Sequence, residues 1–261
     1  VEHKILIDKE STKGLGAGMD PQLGKVAALE NASELSQILK GADMVFVTCG
    51  LGGGTGSGVA PVVAKISKEL GNLTVVVVTT PFSFEGEQRK KIAQNAIANI
   101  KEHVDALLII SNDNLLKLID EKTTVSKAFA VCDDLLRQAV SGITDLVLAP
   151  GIISIDFASI VSILKNSGQA LFGTGQASGQ DRAQVSAKKA INSPLLHFSM
   201  KGSKGVLFNV AGNDVTLNEI KAAAKVITEH VDPRAQIIFG AIKDKTLKKG
   251  EIKITVIATK F

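Results

Sequence analysis

The chain has 261 residues, 45% of them hydrophobic, which suits one large domain or two modest ones with a substantial core. This composition excludes a disordered tail. No apolar run reaches the roughly 18 residues that a membrane-spanning helix needs, and the N-terminus has no signal-peptide pattern. The sequence therefore predicts a globular cytoplasmic protein without direct membrane insertion.

The formal net charge of +4 is mild, and its lysines concentrate in residues 242–253. We predict that this segment is a charged hairpin turn between two strands. A nucleic-acid surface would need interleaved aromatic residues, and the chain has neither Trp nor Tyr. We therefore expect no nucleic-acid partner.

Cys49 and Cys132 both lie in apolar segments, which is typical of reduced cysteines in a core. The four histidines do not fall at metal-ligand spacing. The sequence therefore predicts neither a disulfide nor a metal site formed by the protein itself.

In the first half of the chain, strand-like runs occupy residues 42–48, 73–80 and 104–111, and helical patterns lie between them at 58–70 and 85–102. Nearly continuous Val, Ile and Leu strands that alternate with amphipathic helices indicate a parallel sheet covered on both faces.

A long helical pattern begins at Val125 and keeps its period through Gly142 until Pro150. About 25 residues at 1.5 Å each give a rod of roughly 37 Å, long enough to cross a domain. The pattern after it predicts a second, smaller α/β layer, with helices near 157–167, 182–192 and 216–231 and strands at 205–212, 235–243 and 251–260. The predicted divisions are therefore 1–124, the helix 125–150, and 151–261.

The segment CGLGGGTGSG, residues 49–58, is called the glycine loop below. It joins the first predicted strand to a helix. The next two strands end in Thr79-Thr80-Pro81 and Ser111-Asn112-Asp113. Ligands of parallel α/β sheets bind outside the carboxyl ends of the strands, and a glycine loop before a helix offers N–H groups to an anion. The pattern predicts a site for a phosphate chain.

Two common phosphate motifs do not fit the glycine loop. No register supplies the glycines of the dinucleotide fingerprint, and no lysine stands where the Walker loop requires one. A tight turn with no ligand stays an alternative, although a turn alone would need only one or two glycines.

GGGTGSG (52–58) resembles the signature loop of the tubulin/FtsZ superfamily of polymerising GTPases. Further segments match the bacterial-type cell-division branch of this superfamily in order and spacing: GLGAG (14–18), ADMVFVT (42–48), PFSFEG (81–86), ND (112–113), GITDLV (142–147), DFA (156–158), INSPLL (191–196) and TVIAT (255–259). The resemblance implies a Rossmann-like parallel-sheet GTPase domain, joined by a long central helix to a smaller α/β domain.

The resemblance also implies a nucleotide site for GTP and GDP, with Mg²⁺ held mainly by the nucleotide. The sugar-phosphate region would contact Glu85 and Arg89, and Asn112 lies at the third strand end. The guanine base would contact Phe129 and Asp133. The phosphates would contact the residues of the two glycine segments: Gly18, Gly52, Gly53, Gly54, Thr55 and Gly56. The alternatives are a surface role for Arg89, a core role for Phe129, and an exposed helix acid at Asp133.

Asp156 is the implied catalytic residue. It follows the long helix, whose end lies some 25 Å from the part with Phe129 and Asp133 that would contact the nucleotide, so Asp156 would act on the nucleotide of a neighbouring subunit in a head-to-tail filament. The alternative is an N-cap of the next helix, and both roles could hold together. Ser154 and Ser159 stand where the family usually has asparagine and aspartate, which predicts slow or absent hydrolysis.

The family also has a strand and a glycine-rich loop before the first residue of this chain, and a tail after its last one that binds partner division proteins. We therefore expect either a fragment or a degenerate relative. The leading expectation is a self-assembling GTPase of the division ring, located in the cytoplasm at the division site, or in the equivalent compartment of an organelle. The alternative is a filament or capping scaffold that does not hydrolyse GTP.

Overall fold

The computed structural model describes residues 3–7, 16–116, 123–148, 151–193 and 199–261. Gly14 of GLGAG, residues 194–196 of INSPLL and the end of the predicted long helix at residue 150 lie outside these ranges. The chain divides into two compact units, residues 1–120 and 121–261. Within the described residues, no helix is both long and apolar enough to cross a membrane.

The strands of the first unit form a parallel sheet in the order β1–β2–β3, which confirms the predicted parallel arrangement. They span Met44–Gly50 (β1), Leu73–Thr80 (β2) and Ala106–Ser111 (β3). The valines of β2 are fully buried, as expected for a strand covered on both faces. All of these strands therefore end at the same edge of the sheet.

The helices of the first unit are Pro21–Glu30 (α1), Ala32–Leu39 (α2), Gly54–Glu69 (α3), Glu87–Lys101 (α4) and Asn112–Leu116 (α5), with a 3-10 turn at Ser83–Glu85. Helix α3 begins inside the glycine loop, four residues before the predicted start. Helices α1 and α2 were not predicted, although Asp20-Pro21 is a helix-start signal. Asp20 is the N-cap of α1 and accepts a hydrogen bond from the N–H of Gln22.

The core of the first unit lies between the sheet and helices α3 and α4. Small residues of these helices, among them Ala64 and Ala96, pack with Ile100 against Val76 and Val78 of β2. The small side chains let the helices approach the sheet closely, and this holds the start of α3 at the carboxyl end of β1.

The sheet of the second unit is mixed. Its strands are Gly151–Ile153 (β4), Gly168–Ser178 (β5), Gly205–Gly212 (β6), Gln236–Ile242 (β7) and Glu251–Thr259 (β8). Strand β8 runs antiparallel to both β5 and β6, β7 is parallel to β6, and β4 is antiparallel to β7. The predicted hairpin over residues 242–253 is therefore wrong, because β6 lies between β7 and β8.

Strand β5 was not predicted, because its glycines weaken the strand pattern. The structure shows what these glycines do. A Cβ atom at Gly173 would lie 2.1 Å from the carbonyl oxygen of Ala190, and one at Gly175 would lie 2.2 Å from that of Ser186. Both carbonyls belong to the helix Arg182–Ile191 (α8), so the glycines let this helix lie directly on the strand.

The other helices of the second unit are Val125–Leu148 (α6), Phe157–Leu164 (α7) and Leu217–Thr228 (α9). Helix α6 follows the predicted long helix and buries Ala139 and Ile143. Helix α6 continues through Gly142. A Cβ atom at this position would come within 2.9 Å of the Phe172 ring, so a larger residue would force a shift. The interior glycine thus lets α6 pack against the Phe172 ring of β5.

Arg182 joins α8 to the start of α9. Its Nε donates to Glu219 Oε1 (2.6 Å) and its Nη1 donates to Asp214 Oδ1 (2.8 Å), while its side chain is nearly buried. Glu219 also accepts from the N–H of Thr216, the N-cap of α9. The guanidinium beside Glu219 lowers the pKa of that carboxyl. One cation therefore satisfies two carboxylates at this helix start.

We predict that Arg182→Ala lowers the free energy of unfolding of the second unit by about 1.5–3 kcal/mol, because it removes the charged hydrogen-bond partner of two partly exposed carboxylates. Urea denaturation followed by circular dichroism measures the change. The matched control is Arg234→Ala. Arg234 is exposed and lies 3.7 Å from Asp232, so its loss should cost less than about 1 kcal/mol. Equal effects of the two substitutions would contradict the assignment.

Candidate functional site

The carboxyl ends of β1, β2 and β3 bring the glycine loop and the segment 81–86 to one edge of the first unit. Gly52 has a φ of +104°, and a Cβ atom there would lie 3.1 Å from Cγ of Pro81 and 3.2 Å from the carbonyl oxygen of Arg89. The start of α4 therefore lies beside the glycine loop. The structure brings together the two segments that the sequence assigned to phosphate and sugar.

Helix α3 starts at this edge without a side-chain cap. Its N-cap residue is Gly53, which has no side-chain oxygen. The N–H groups of the first helical turn have no partner within the helix, and they carry the positive end of the helix dipole. Thr55 in this turn is exposed. The arrangement is suited to an anion that accepts hydrogen bonds from the backbone.

Two N–H groups of the glycine loop already have partners in the protein. The N–H of Gly52 donates to Oγ of Ser57 (3.0 Å), and the N–H of Gly54 donates to the carbonyl oxygen of Gly18 (2.9 Å). Gly18 has a φ of +56° and lies in the segment 16–20. The structure thus places Gly18 beside the glycine loop, but the Gly54 N–H is committed to this contact.

Several glycines of the loop are needed for packing alone. A Cβ atom at Gly54 would lie 2.6 Å from the carbonyl oxygen of Ala17, and one at Gly56 would lie 2.2 Å from that of Gly50. At Gly58 it would lie 2.2 Å from the carbonyl oxygen of Pro21. The expectation that structure alone requires one or two glycines was therefore wrong. Gly53 is different, because a Cβ atom there would meet no atom within 4 Å.

Glu85 and Arg89 form an ion pair with 2.8 Å between Nη1 and Oε2. The other oxygen of Glu85 accepts from the N–H of Phe82 (2.9 Å). The carboxylate of Glu85 thus shapes the turn and orients Arg89. The Arg89 side chain is about 43% exposed, so it is accessible from the loop edge.

The segment after β3 contributes two polar residues. Asn112 is 5% exposed, and its Oδ1 atom has no hydrogen-bond partner within the described part of the chain. Asp113 accepts from the N–H of Ser83 through Oδ1 (2.8 Å) and so ties the end of β3 to the turn after β2. Sequence reasoning missed the role of Asp113, although it follows Asn112 directly at a strand end.

Phe129 and Asp133 lie one helical turn apart on α6 in the second unit. Both are exposed, with Phe129 at 42%. The core alternative for Phe129 is therefore wrong. An aromatic ring and a carboxylate at this spacing share one face of the helix and can contact the same planar ligand.

Asp156 is the N-cap of α7, which confirms the alternative role considered for it. Its Oδ1 atom accepts from the N–H of Ser159 (2.8 Å), and the side chain is exposed. Hydrogen bonds from Ser159 hold the pKa of Asp156 below its ordinary value. The carboxylate therefore stays ionised at neutral pH.

Cys49 lies in β1, at the start of the glycine loop. Burial raises the pKa of Cys49 to about 11, so this thiol is not a reactive nucleophile at neutral pH. In the described ranges, no three His, Cys, Asp or Glu side chains converge as a metal donor set.

A parallel sheet whose carboxyl edge carries an uncapped, glycine-rich helix start defines the class of α/β proteins that bind phosphate groups. Family models give the narrower assignment. Residues 1–120 match the GTPase domain of the tubulin/FtsZ family, and residues 168–261 match the C-terminal domain of the FtsZ family. The chain belongs to the tubulin/FtsZ family and is FtsZ-like.

Solved structures agree with this assignment. A structure of an empty FtsZ dimer from M. jannaschii is 41% identical with a TM-score of 0.92, covering 97% of this chain and 74% of that one. A point mutant of the same FtsZ gives 41% identity and a TM-score of 0.93, with 99% and 77% covered. GDP-bound CetZ1 from Haloferax volcanii, at 22% identity and a TM-score of 0.83, covers 97% of this chain and 77% of its own, and shares the fold.

We predict that Gly53→Asp weakens GTP binding about tenfold or more and does not lower the thermal stability. Aspartate is a preferred N-cap, so its carboxylate would occupy the amides of the first turn and repel phosphate. The backbone at Gly53, with φ −101° and ψ 179°, accepts any residue. Titration with fluorescent GTP and a thermal melt give the two readouts.

Gly53→Ala is the matched control for this experiment, because it adds a Cβ atom without an acceptor oxygen. We expect it to reduce GTP affinity less than Gly53→Asp does. Normal GTP binding by Gly53→Asp would show that the amides at the start of α3 do not hold phosphate.

Proposed function

We propose that this protein binds GTP and GDP and assembles head to tail into filaments that hydrolyse GTP, as a cytoskeletal protein of the division ring. The observation that carries the proposal is the uncapped start of α3 at the shared edge of β1, β2 and β3. Family membership supports it, since residues 1–120 match a GTPase domain. One relative was solved as a dimer and the more distant CetZ2 as a GTPγS-bound protofilament.

The phosphates of the nucleotide would lie over Gly53, the N-cap residue of α3, and over Thr55 and Gly56 in its first turn. They would accept hydrogen bonds from the N–H groups of these residues. Arg89, oriented by Glu85, would add a positive charge near the phosphates or the sugar. Gly54 would act indirectly, by holding the segment 16–20 against the loop. A bound Mg²⁺ would be held mainly by the phosphates and would neutralise their charge during hydrolysis.

Phe129 and Asp133 would recognise the base. The ring of Phe129 can stack on a purine, and a carboxylate can accept from N1–H and N2–H₂ of guanine together. Adenine offers no such pair of donors. The exposure of both side chains supports this role, because a ligand can reach them.

We predict that Asp133→Ala reduces GTP affinity by about 1–3 kcal/mol, the cost of losing a charged hydrogen-bond partner, and leaves the weaker ATP affinity unchanged. Competition binding with fluorescent GTP measures both. The control is Asp134→Ala on the same helix, since Asp134 already pairs with Arg137 and Gln138. Equal affinity of the unaltered protein for GTP and ATP would contradict the guanine assignment.

Hydrolysis would take place between subunits. From Asp133 to Leu148 helix α6 rises about 22 Å, and Asp156 lies eight residues further along the chain. A residue so far from the base-binding end of α6 would serve the nucleotide of the next subunit. The ionised carboxylate of Asp156 would orient the attacking water there.

We predict that GTPase activity per subunit rises with protein concentration and disappears below an assembly threshold. Asp156→Ala and Asp156→Asn should both lower turnover, while nucleotide affinity stays normal. Asparagine is also a good N-cap, so it keeps the cap of α7 and removes only the charge.

The comparison of these two variants separates catalysis from capping. If Asp156→Asn retains full turnover while Asp156→Ala does not, Asp156 acts only through the helix cap. If turnover per subunit stays constant on dilution to nanomolar protein, the shared site is refuted.

A filament or capping scaffold without hydrolysis is the second candidate function. It is favoured by Ser154 and Ser159, which replace residues that the family usually has near Asp156. Neither serine has a carboxylate to add to that of Asp156. The N–H of Ser159 donates to Asp156, and Oγ of Ser154 lies 3.5 Å from the carbonyl oxygen of Gly151. Assembly with GTP in the absence of phosphate release would select this candidate. Division-protein partners and the division-site location remain proposals from the family assignment.

A further inference from the structure

Ser57 lies in the first turn of α3 and is 3% exposed. Its side chain turns back toward the residues before the helix, where Oγ accepts a hydrogen bond from the N–H of Gly52 (3.0 Å), five residues earlier. Both residues are buried, so this hydroxyl keeps the N–H of Gly52 satisfied in the folded loop. A buried N–H group that loses its partner costs more than the hydrogen bond itself contributes.

Gly52 has a backbone conformation that its own residue type does not fix. Its φ is +104°, and glycine adopts positive φ values about as readily as negative ones. Gly53 and Gly54 follow it, so the segment has three successive residues with little intrinsic preference for any one conformation. The hydrogen bond from Gly52 to Ser57 favours the one conformation in which the N–H of Gly52 meets the hydroxyl.

The contact also affects the N–H groups that come after it. The N–H of Leu51 donates to the carbonyl oxygen of Thr79 (2.9 Å) and that of Gly52 donates to Ser57, so both are bound within the protein. The next N–H belongs to Gly53, the N-cap residue of α3. Because peptide units are planar, φ and ψ of Gly52 alone set how the N–H of Gly53 is turned relative to that of Gly52. Holding the first N–H in place therefore restricts where the second can point.

We infer that Ser57 is a positioning residue for phosphate binding, whose hydroxyl holds the loop so that the N–H groups of Gly53, Thr55 and Gly56 meet the phosphates together. Its oxygen is buried and bonded to the N–H of Gly52, so Ser57 acts through the backbone and not on the ligand. This inference rests on the proposed function. A loop that is ordered before the ligand arrives loses less conformational entropy on binding.

The test compares the affinities for GTP, GDP and guanosine, measured by competition with fluorescent GTP. Ser57→Ala should weaken GTP and GDP binding about tenfold, the effect of leaving one buried N–H without its acceptor. Guanosine has no phosphate, so its affinity should stay as in the unaltered protein. Ser57→Cys keeps the size of the side chain but replaces the hydroxyl oxygen by a weak acceptor, and it should lose GTP affinity as Ser57→Ala does.

The matched control is Ser67→Ala on the same helix. Ser67 is fully buried, and its Oγ lies 2.8 Å from Oγ1 of Thr74, at the end of β2 opposite to the glycine loop. This substitution should lower the thermal stability and leave GTP affinity unchanged. Equal losses of GTP affinity in Ser57→Ala and Ser67→Ala would overturn the inference, because general weakening of α3 would then explain both. Normal GTP affinity in Ser57→Cys would also overturn it, because side-chain volume would then suffice.

Amide hydrogen exchange at Gly52, measured without nucleotide, tests the loop directly. Faster exchange in Ser57→Ala together with weaker GTP and GDP binding supports the positioning role. Faster exchange with unchanged GTP affinity would overturn it, because the order of the loop would then not matter to the phosphates. If the unaltered protein binds no guanine nucleotide, the proposed function fails, and pyrophosphate becomes the probe. Weaker pyrophosphate binding by Ser57→Ala would then uphold the role of Ser57, and equal affinity, or no binding by either protein, would overturn it.

Discussion

The backbone contact between the start of α3 and the segment before α1 is the constraint on which the rest of the site depends. The N–H of Gly54 donates to the carbonyl oxygen of Gly18, and a Cβ atom at Gly24 would lie 2.5 Å from the carbonyl oxygen of Gly54. Because no side chain separates these backbones, α1 packs directly on α3. The contact fixes where α3 begins, and it leaves the amides of the first turn at the sheet edge.

The same principle explains why glycine positions are hard to interpret from sequence. Gly173 and Gly175 let α8 lie on β5, and Gly142 lets α6 pass the Phe172 ring. All of these glycines lie in the second unit, and a Cβ atom at each would collide with a neighbour. In the glycine loop, close packing of the backbone and the proposed binding of phosphate both favour glycine. At Gly53 the Cβ direction is open, so no packing requirement competes there with a role in ligand binding.

The sequence predicted the elements whose signal is local. Strand β2 has the predicted bounds, Leu73–Thr80, because a run of valines between turn residues strongly favours a buried strand. Strand β5 was missed because its glycines are explained only by packing with α8. The hairpin before β8 was wrong because strand order cannot be read from local sequence. For the site, the strand-end rule located the edge and Asn112. It could not show that the Gly54 N–H is already bonded, since that partner lies 36 residues earlier.

The geometry of Asp156 also limits the chemistry that we can assign to it. One of its oxygens caps α7, and the hydrogen bonds from Ser159 lower the pKa of its carboxyl. A carboxylate with a lowered pKa is a weak base at neutral pH, so it is poorly suited to remove a proton from water early in the reaction. It is well suited to accept a hydrogen bond from that water and hold it in line with the γ-phosphate. The cap and the proposed catalytic role are then compatible, because the cap hydrogen bond to Oδ1 orients the carboxylate while the side chain remains exposed.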